Sequence, residues 1–314
     1  MSQVIDVALP VFAIILAGVV AGRAGLLGPA APETLNRFVY WIALPPLLFI
    51  GTARRPVDEI FNGPFLGAFL GGLLAVFVAG AVLGRLIRRE GPAVPCLQGL
   101  TASFANTGYM GIPLFLTAFG QERLAPAILA TVAMTATMIA LAVVWLELVR
   151  SHGKAPAHVA GVIVLALLRN PLVSAPALGV AWSALLHGVA VPRPVAAFCE
   201  LTGAAAGPSA LFAIGLSLAG MRLAAARSPE VGVIVALKLI VQPAVTALLI
   251  ATLFPLDPFR ANAAIILAAL PTGALTFVMA QRYEVYVERA SAIILVSTVL
   301  SVVSLSALLA WLEP

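Results

Sequence analysis

The chain has 314 residues, of which 62% are hydrophobic and only 10% charged, and its mean hydropathy is +1.09. Those values exclude an ordinary soluble domain and describe an integral membrane protein. The formal charge of +5 does not imply nucleic acid, because the basic residues sort by loop, which makes basicity a topology signal.

A helix needs about 20 mostly apolar residues to cross the hydrocarbon core, and runs of that length recur between short charged or Pro/Gly-rich breaks. Runs such as GAFLGGLLAVFVAGAVLG are apolar all round, unlike the alternating segments of about 10 residues in a membrane barrel. The first predicted span, 5–22, has no Lys or Arg before Arg23, so it lacks the basic start of a secretory signal and reads as a retained helix. Spans 36–53 and 62–86 follow. Gly63, Gly67 and Gly71 are four apart, as are Gly18 and Gly22; small residues at that spacing let helices approach closely, within one half or between the protomers of a homodimer. Spans 94–119 and 124–147 complete the first half of the chain. The run HVAGVIVLALLRNP, 158–171, is short and ends at a proline. It reads as an interfacial helix leading into the sixth span, 171–190, with an eleventh crossing as the competing reading. Spans 197–220, 231–254, 261–281 and 289–312 bring the total to ten.

With ten spans, the odd loops hold twelve basic residues and the even loops five, Lys238 lying within a span, which accounts for all 18. The positive-inside rule then puts the odd loops in the cytoplasm and both termini outside, in the plasma membrane or the inner membrane of a bacterium. An extra crossing at 158–170 would invert every later loop and spoil the bias. Because five is odd, a duplicated five-span unit enters the membrane inverted. ALPPLLF in span 2 pairs with AGPSALF in span 7, and NTGYMGIPL in span 4 with LPTGALTF in span 9. The expected organisation is a first repeat at 1–150, a cytoplasmic linker at 151–158 and a second repeat at 159–314 led by the interfacial helix. No interval could hold a nucleotide-binding domain and there is no phosphate-binding loop, which excludes transport driven directly by ATP from this chain alone.

Span 4 contains SFANTGYMGIPL, 103–114, inside a stretch with no charged residue. Pro113 has no N–H and crowds the carbonyl of Tyr109, and Gly108 and Gly111 loosen the same turns. In span 9, Pro271 displaces a bond to Leu267, and Gly273 follows. Broken backbone inside a bilayer must be shielded by protein or water, so both helices are expected to be discontinuous. Matched interruptions in two halves point to a substrate site at the midplane, where half-helix N-termini favour an anion. Asn106, Thr107, Thr272 and Thr276 are placed to add neutral hydrogen bonds.

These motifs, together with LNRFVYWIALPPLLF (35–49), RNP (169–171), GPSALFAIGLSL (207–218), LKLIVQP (237–243) and LPTGALTFVMAQRYEV (270–285), resemble the auxin efflux carrier family of permeases along the whole chain. The last of them looks like its malonate-transporter branch. The resemblance implies an all-α membrane fold of ten helices in two inverted five-helix repeats, with broken helices 4 and 9 crossing, an elevator-type movement and organic anions as substrates. It assigns Asn106 to the substrate carboxylate and Pro113 to the first crossover proline. Thr276 stands where plant members carry the second crossover proline, and the long central loop of those members is nearly absent here.

Lys238 lies eight residues into span 8, roughly 12 Å at 1.5 Å per residue, with Gln242 one turn on. A cation inside a span is a functional candidate, here for crossover support, charge balance or coupling, against snorkelling to the surface. No acidic residue lies deep in a span, Asp6, Glu147 and Glu200 being near ends, which disfavours cation antiport by a membrane carboxylate. Cys96 and Cys199, and His152, His158 and His187, have neither metal nor catalytic spacing. The expected protein is therefore not an enzyme and has no cofactor and no metal. It works in the lipid bilayer on a small organic anion, most directly a dicarboxylate such as malonate, with proton or sodium coupling open. The rivals are a carrier of another anion, auxin-like or bile-acid-like with sodium coupling, and a non-transporting membrane sensor.

Overall fold

The structure is a computed structural model that describes residues 2–87, 90–150, 156–186, 189–220 and 228–312. The chain runs through α1 (Ser2–Arg23), α2 (Ala31–Phe38), α3 (Leu44–Ala53), α4 (Val57–Ile60), α5 (Gly63–Ile87), α6 (Val94–Ser103), α7 (Ile112–Phe119), α8 (Ala125–Arg150) and α9 (Pro156–Leu168). It continues through α10 (Pro171–Leu185), α11 (Arg193–Ala204), α12 (Ala206–Ala219), α13 (Pro229–Ala236), α14 (Gln242–Thr252), α15 (Pro258–Ala269), α16 (Leu275–Tyr283) and α17 (Val287–Leu312). Helix is the only extended secondary structure among the described residues. His152, His187 and most of the joining segment lie outside them.

Five helical stretches are long and apolar enough to cross a membrane: Gly63–Ile87, Ala125–Val149, Arg193–Ala219, Pro229–Thr252 and Val287–Leu312. A sixth follows if 160–168 and Pro171–Leu185, bent by 76° at Asn170, count as one. The protein is thus all-α with five to six candidate membrane-spanning helices. The other expected spans are helical too, but they are broken into pieces of 8 to 15 residues or, in α1, interrupted by Pro10.

Three of the breaks share one cause. π-helical turns occupy Val39–Ala43, Thr107–Gly111 and Leu237–Val241, and Pro45, Pro113 and Pro243 each sit two residues beyond, in the first turn of α3, α7 and α14. A proline clashes with the carbonyl four residues back. Here that residue is Trp41, Tyr109 or Leu239, each central in its π turn, where the wider winding moves the carbonyl aside.

The chain forms two compact units, each drawn from three separate stretches. The first comprises Met1–Asn62, Thr107–Val132 and Leu168–Met221. Its core includes α1 against α12, where Gly18 meets the backbone at Phe212 and Gly215, and α3 against α10, where Gly179 meets Thr52. Thr52 also donates its hydroxyl to the Pro176 carbonyl at 3.1 Å. Asn170 caps α10 by accepting from the Leu172 N–H at 3.0 Å, which explains the RNP motif: cap residue, then a proline whose missing N–H costs nothing at a helix start.

The second unit comprises Gly63–Asn106, Ala133–Leu167 and Arg222–Pro314. α5 is its packing hub. A Cβ at Gly80 would lie 2.6 Å from the Ala102 methyl, one at Gly71 2.9 Å from Leu249, and one at Gly67 2.5 Å from the Phe254 ring. Gly72 and Gly84 lie directly against Thr246 and Gln98. The small residues of the first and third spans therefore serve close helix packing inside each unit.

Candidate functional site

In the second unit, α6 ends at Ser103 and α15 at Ala269, and each hands over to extended backbone, at Phe104 (ψ 106°) and Leu270 (ψ 150°). Pro271 cannot continue a helix, and the residue before a proline is driven to extended geometry. The two extended pieces pair. Ala105 and Thr272 form an isolated antiparallel bridge, in which the Asn106 N–H donates to the Pro271 carbonyl at 2.8 Å and the Gly273 N–H to the Phe104 carbonyl at 2.9 Å. Each broken helix thus satisfies backbone groups exposed by the other, which is what a break away from water requires.

Side chains brace the bridge. Thr272 donates its hydroxyl to the Thr101 carbonyl at 2.8 Å, and its N–H donates to the Ser297 hydroxyl at 3.1 Å. Thr276 donates to the Gly273 carbonyl at 2.9 Å. Both threonine hydroxyls, expected from sequence to offer hydrogen bonds, here give their protons to the backbone. Gly273 is required by space: a Cβ would lie 2.8 Å from the Phe104 ring and 3.1 Å from the Ala105 carbonyl oxygen. The Asn106 carboxamide forms no hydrogen bond with the described residues, and the residue is 7% exposed.

Asn106, Pro271, Thr272 and Gly273 therefore meet at the bridge, with Thr276 opening α16 beside them. Thr107, Gly108, Gly111 and Pro113 belong to the first unit. There Gly108 approaches Leu172, and Tyr109 donates to the Asn36 carbonyl at 3.2 Å. The Thr107 hydroxyl is buried with no hydrogen-bond partner.

Lys238 is fully buried, and its Nζ donates to the Ala268 carbonyl at 2.7 Å, in the last turn of α15. Snorkelling is thereby excluded. The ammonium sits where a helix end leaves carbonyls unpaired and partial negative charge accumulates, so it stabilises the end of α15 just before the break. Gln242 is also fully buried, and neither its amide nitrogen nor its oxygen has a partner.

A second polar cluster in the same unit was not legible in the sequence. Glu230, fully buried at the start of α13, accepts from Gln98 Nε2 at 2.8 Å, Tyr286 hydroxyl at 2.6 Å and Arg289 Nη1 at 2.8 Å. Arg289 reaches Glu90 with its other nitrogen at 2.5 Å and lies over the Tyr286 ring at 4.6 Å. Burial and the bond to Glu230 push the Tyr286 pKa above its ordinary value, so the hydroxyl stays a donor. Among the described residues no group of His, Cys, Asp and Glu could hold a metal.

A family profile described as "Membrane transport protein" matches residues 3–309. A Rhizobium meliloti protein named "Putative malonate transporter" is 32% identical over 98% of this chain and 96% of its own length. An "Uncharacterized transporter" from Methanothermobacter thermautotrophicus is 24% identical over 96% of this chain and 95% of its own.

Proposed function

Since the chain belongs to the auxin efflux carrier family of membrane transport proteins, we propose that it is a secondary carrier of small organic anions, most directly of a dicarboxylate such as malonate. The observation that carries this reading is the antiparallel bridge between Ala105 and Thr272. It holds two interrupted helices at the point where a carrier places its substrate. The name of the rhizobial relative supports malonate.

In this reading ten spans form two inverted repeats, 1–150 and 159–314, joined by the linker 151–158. One substrate carboxylate lies at the bridge against the Asn106 carboxamide and the backbone N–H groups of the broken helices. Thr107, Gly108, Gly111 and Pro113 on one broken helix, and Pro271, Thr272, Gly273 and Thr276 on the other, give the segments their shape. Lys238 fixes the end of α15 and, with Gln242, supplies charge balance. The crossing segments carry the bound anion through the membrane in an elevator-type movement, in a plasma or bacterial inner membrane with both termini outside.

Uptake of labelled malonate into proteoliposomes tests the proposal. We expect saturable uptake that unlabelled dicarboxylates compete away; imposed proton or sodium gradients identify the coupling ion. Reconstituted protein that moves no carboxylate from a panel of mono- and dicarboxylates overturns it.

A further inference from the structure

Lys238, Gln242 and Thr246 are spaced by four along span 8, and each is fully buried. Residues four apart lie on one helix face, so they make a polar stripe inside the second unit, where Thr246 lies against Gly72 and Lys238 against the end of α15. Very little in the protein answers this stripe. The ammonium uses one of its three N–H groups, on the Ala268 carbonyl, and has no carboxylate partner among the described residues. The Gln242 amide is unpaired at both ends, and the Thr246 hydroxyl is unpaired too.

Buried polar groups are rarely left in this state, and those that are call for an explanation. The unused capacity is mainly that of donors: two N–H groups on Lys238, two on Gln242 and the Thr246 O–H. With a positive charge at one end, such a set is complementary to an anion rather than to a metal ion.

The stripe is also tied to the bridge. Ala268, which receives Lys238, is three residues before Pro271, whose carbonyl accepts the Asn106 N–H. Three residues span at most about 10 Å, so the two polar regions are separated by no more than a short stretch of backbone. We propose that Lys238, Gln242 and Thr246 form the subsite for the second carboxylate of a dicarboxylate whose first carboxylate lies at Asn106. The inference rests on the carrier reading and deepens it: the stripe is what separates dianions from monoanions. A monocarboxylate is served by Asn106 and backbone dipoles alone. A dianion needs a second, cationic contact where water does not screen it.

The test compares wild-type protein with Lys238→Met and Gln242→Leu in proteoliposomes. Malonate KM is read from uptake, and propionate affinity from inhibition of that uptake. Both variants are expected to raise malonate KM by about tenfold or more while leaving the inhibition constant of propionate unchanged. Equal weakening of malonate and propionate would overturn the subsite and leave Lys238 as a support of the bridge. Unchanged malonate KM with a lowered unfolding temperature would also overturn it, marking the stripe as a place for internal water. Should Lys238→Met fail to fold, Gln242→Leu, which removes no charge, decides between these outcomes. Wild-type protein that transports no carboxylate sinks the carrier reading and the subsite together. Wild-type malonate uptake that the variants do not alter sinks the subsite alone.

Discussion

At Asn106 the backbone and the side chain do separate work. The N–H holds the bridge through the Pro271 carbonyl, whereas the carboxamide is bonded to nothing in the protein. Asn106→Ala keeps the first and removes the second. We therefore expect the variant to lose about tenfold or more in anion affinity, as for a lost hydrogen bond to a charged group, while its unfolding temperature stays near wild type. Unchanged affinity in a binding titration would take Asn106 out of the site. Gly273→Ala acts in the opposite way, because its methyl would meet the Phe104 ring and the Ala105 carbonyl. Overpacking of this kind costs about 1–3 kcal/mol, visible as a lower unfolding temperature in detergent. Proline and glycine announced these positions in the sequence, since their effects on the backbone are local. Whether Lys238 snorkelled or was buried was not legible, because a helix that is apolar nearly all round has no polar face from which to read its direction.

At the scale of elements, the interruptions in spans 4 and 9 were readable, but those in spans 2 and 8 were not singled out. Pro45 and Pro243 leave their helices nearly straight because a π turn absorbs each clash locally, and nothing in the residue types distinguishes that from a kink. Glu230 was missed for a different reason. At a helix start it looks solvated, and its main partner, Arg289, is 59 residues away. The cluster joins the entrance of α6, the start of α13, the turn before α17 and α17 itself, so its loss should loosen the second unit as a whole. Arg289→Met leaves a buried carboxylate without its cation, and we expect destabilisation of about 3–5 kcal/mol. Adding Glu230→Gln should recover part of that loss, since the unpaired charge is then gone. Unfolding curves in which the double variant is no more stable than Arg289→Met would assign Arg289 a role other than charge pairing.

For the whole molecule, the distribution of arginines and lysines predicts orientation and span count together, because each crossing reverses the side of everything after it. Leu26 and Phe61 are exposed, 72% and 54%, and flank the second span, while exposed Pro194 follows the sixth. Both native thiols, Cys96 and Cys199, are buried, so cysteines introduced singly at these three positions can be labelled against a quiet background. In intact cells a membrane-impermeant maleimide should reach Phe61→Cys and Pro194→Cys, and reach Leu26→Cys only after permeabilisation. Reversal at all three positions would invert the orientation without touching the count. Reversal at Pro194 alone would mean that the bent pair around Asn170 crosses the membrane twice. The second repeat would then no longer be inverted relative to the first, and the symmetry that places two opposed half-helices around one anion would be lost. The labelling pattern at Pro194 thus bears on the substrate site itself, although the residue lies far along the chain from Asn106.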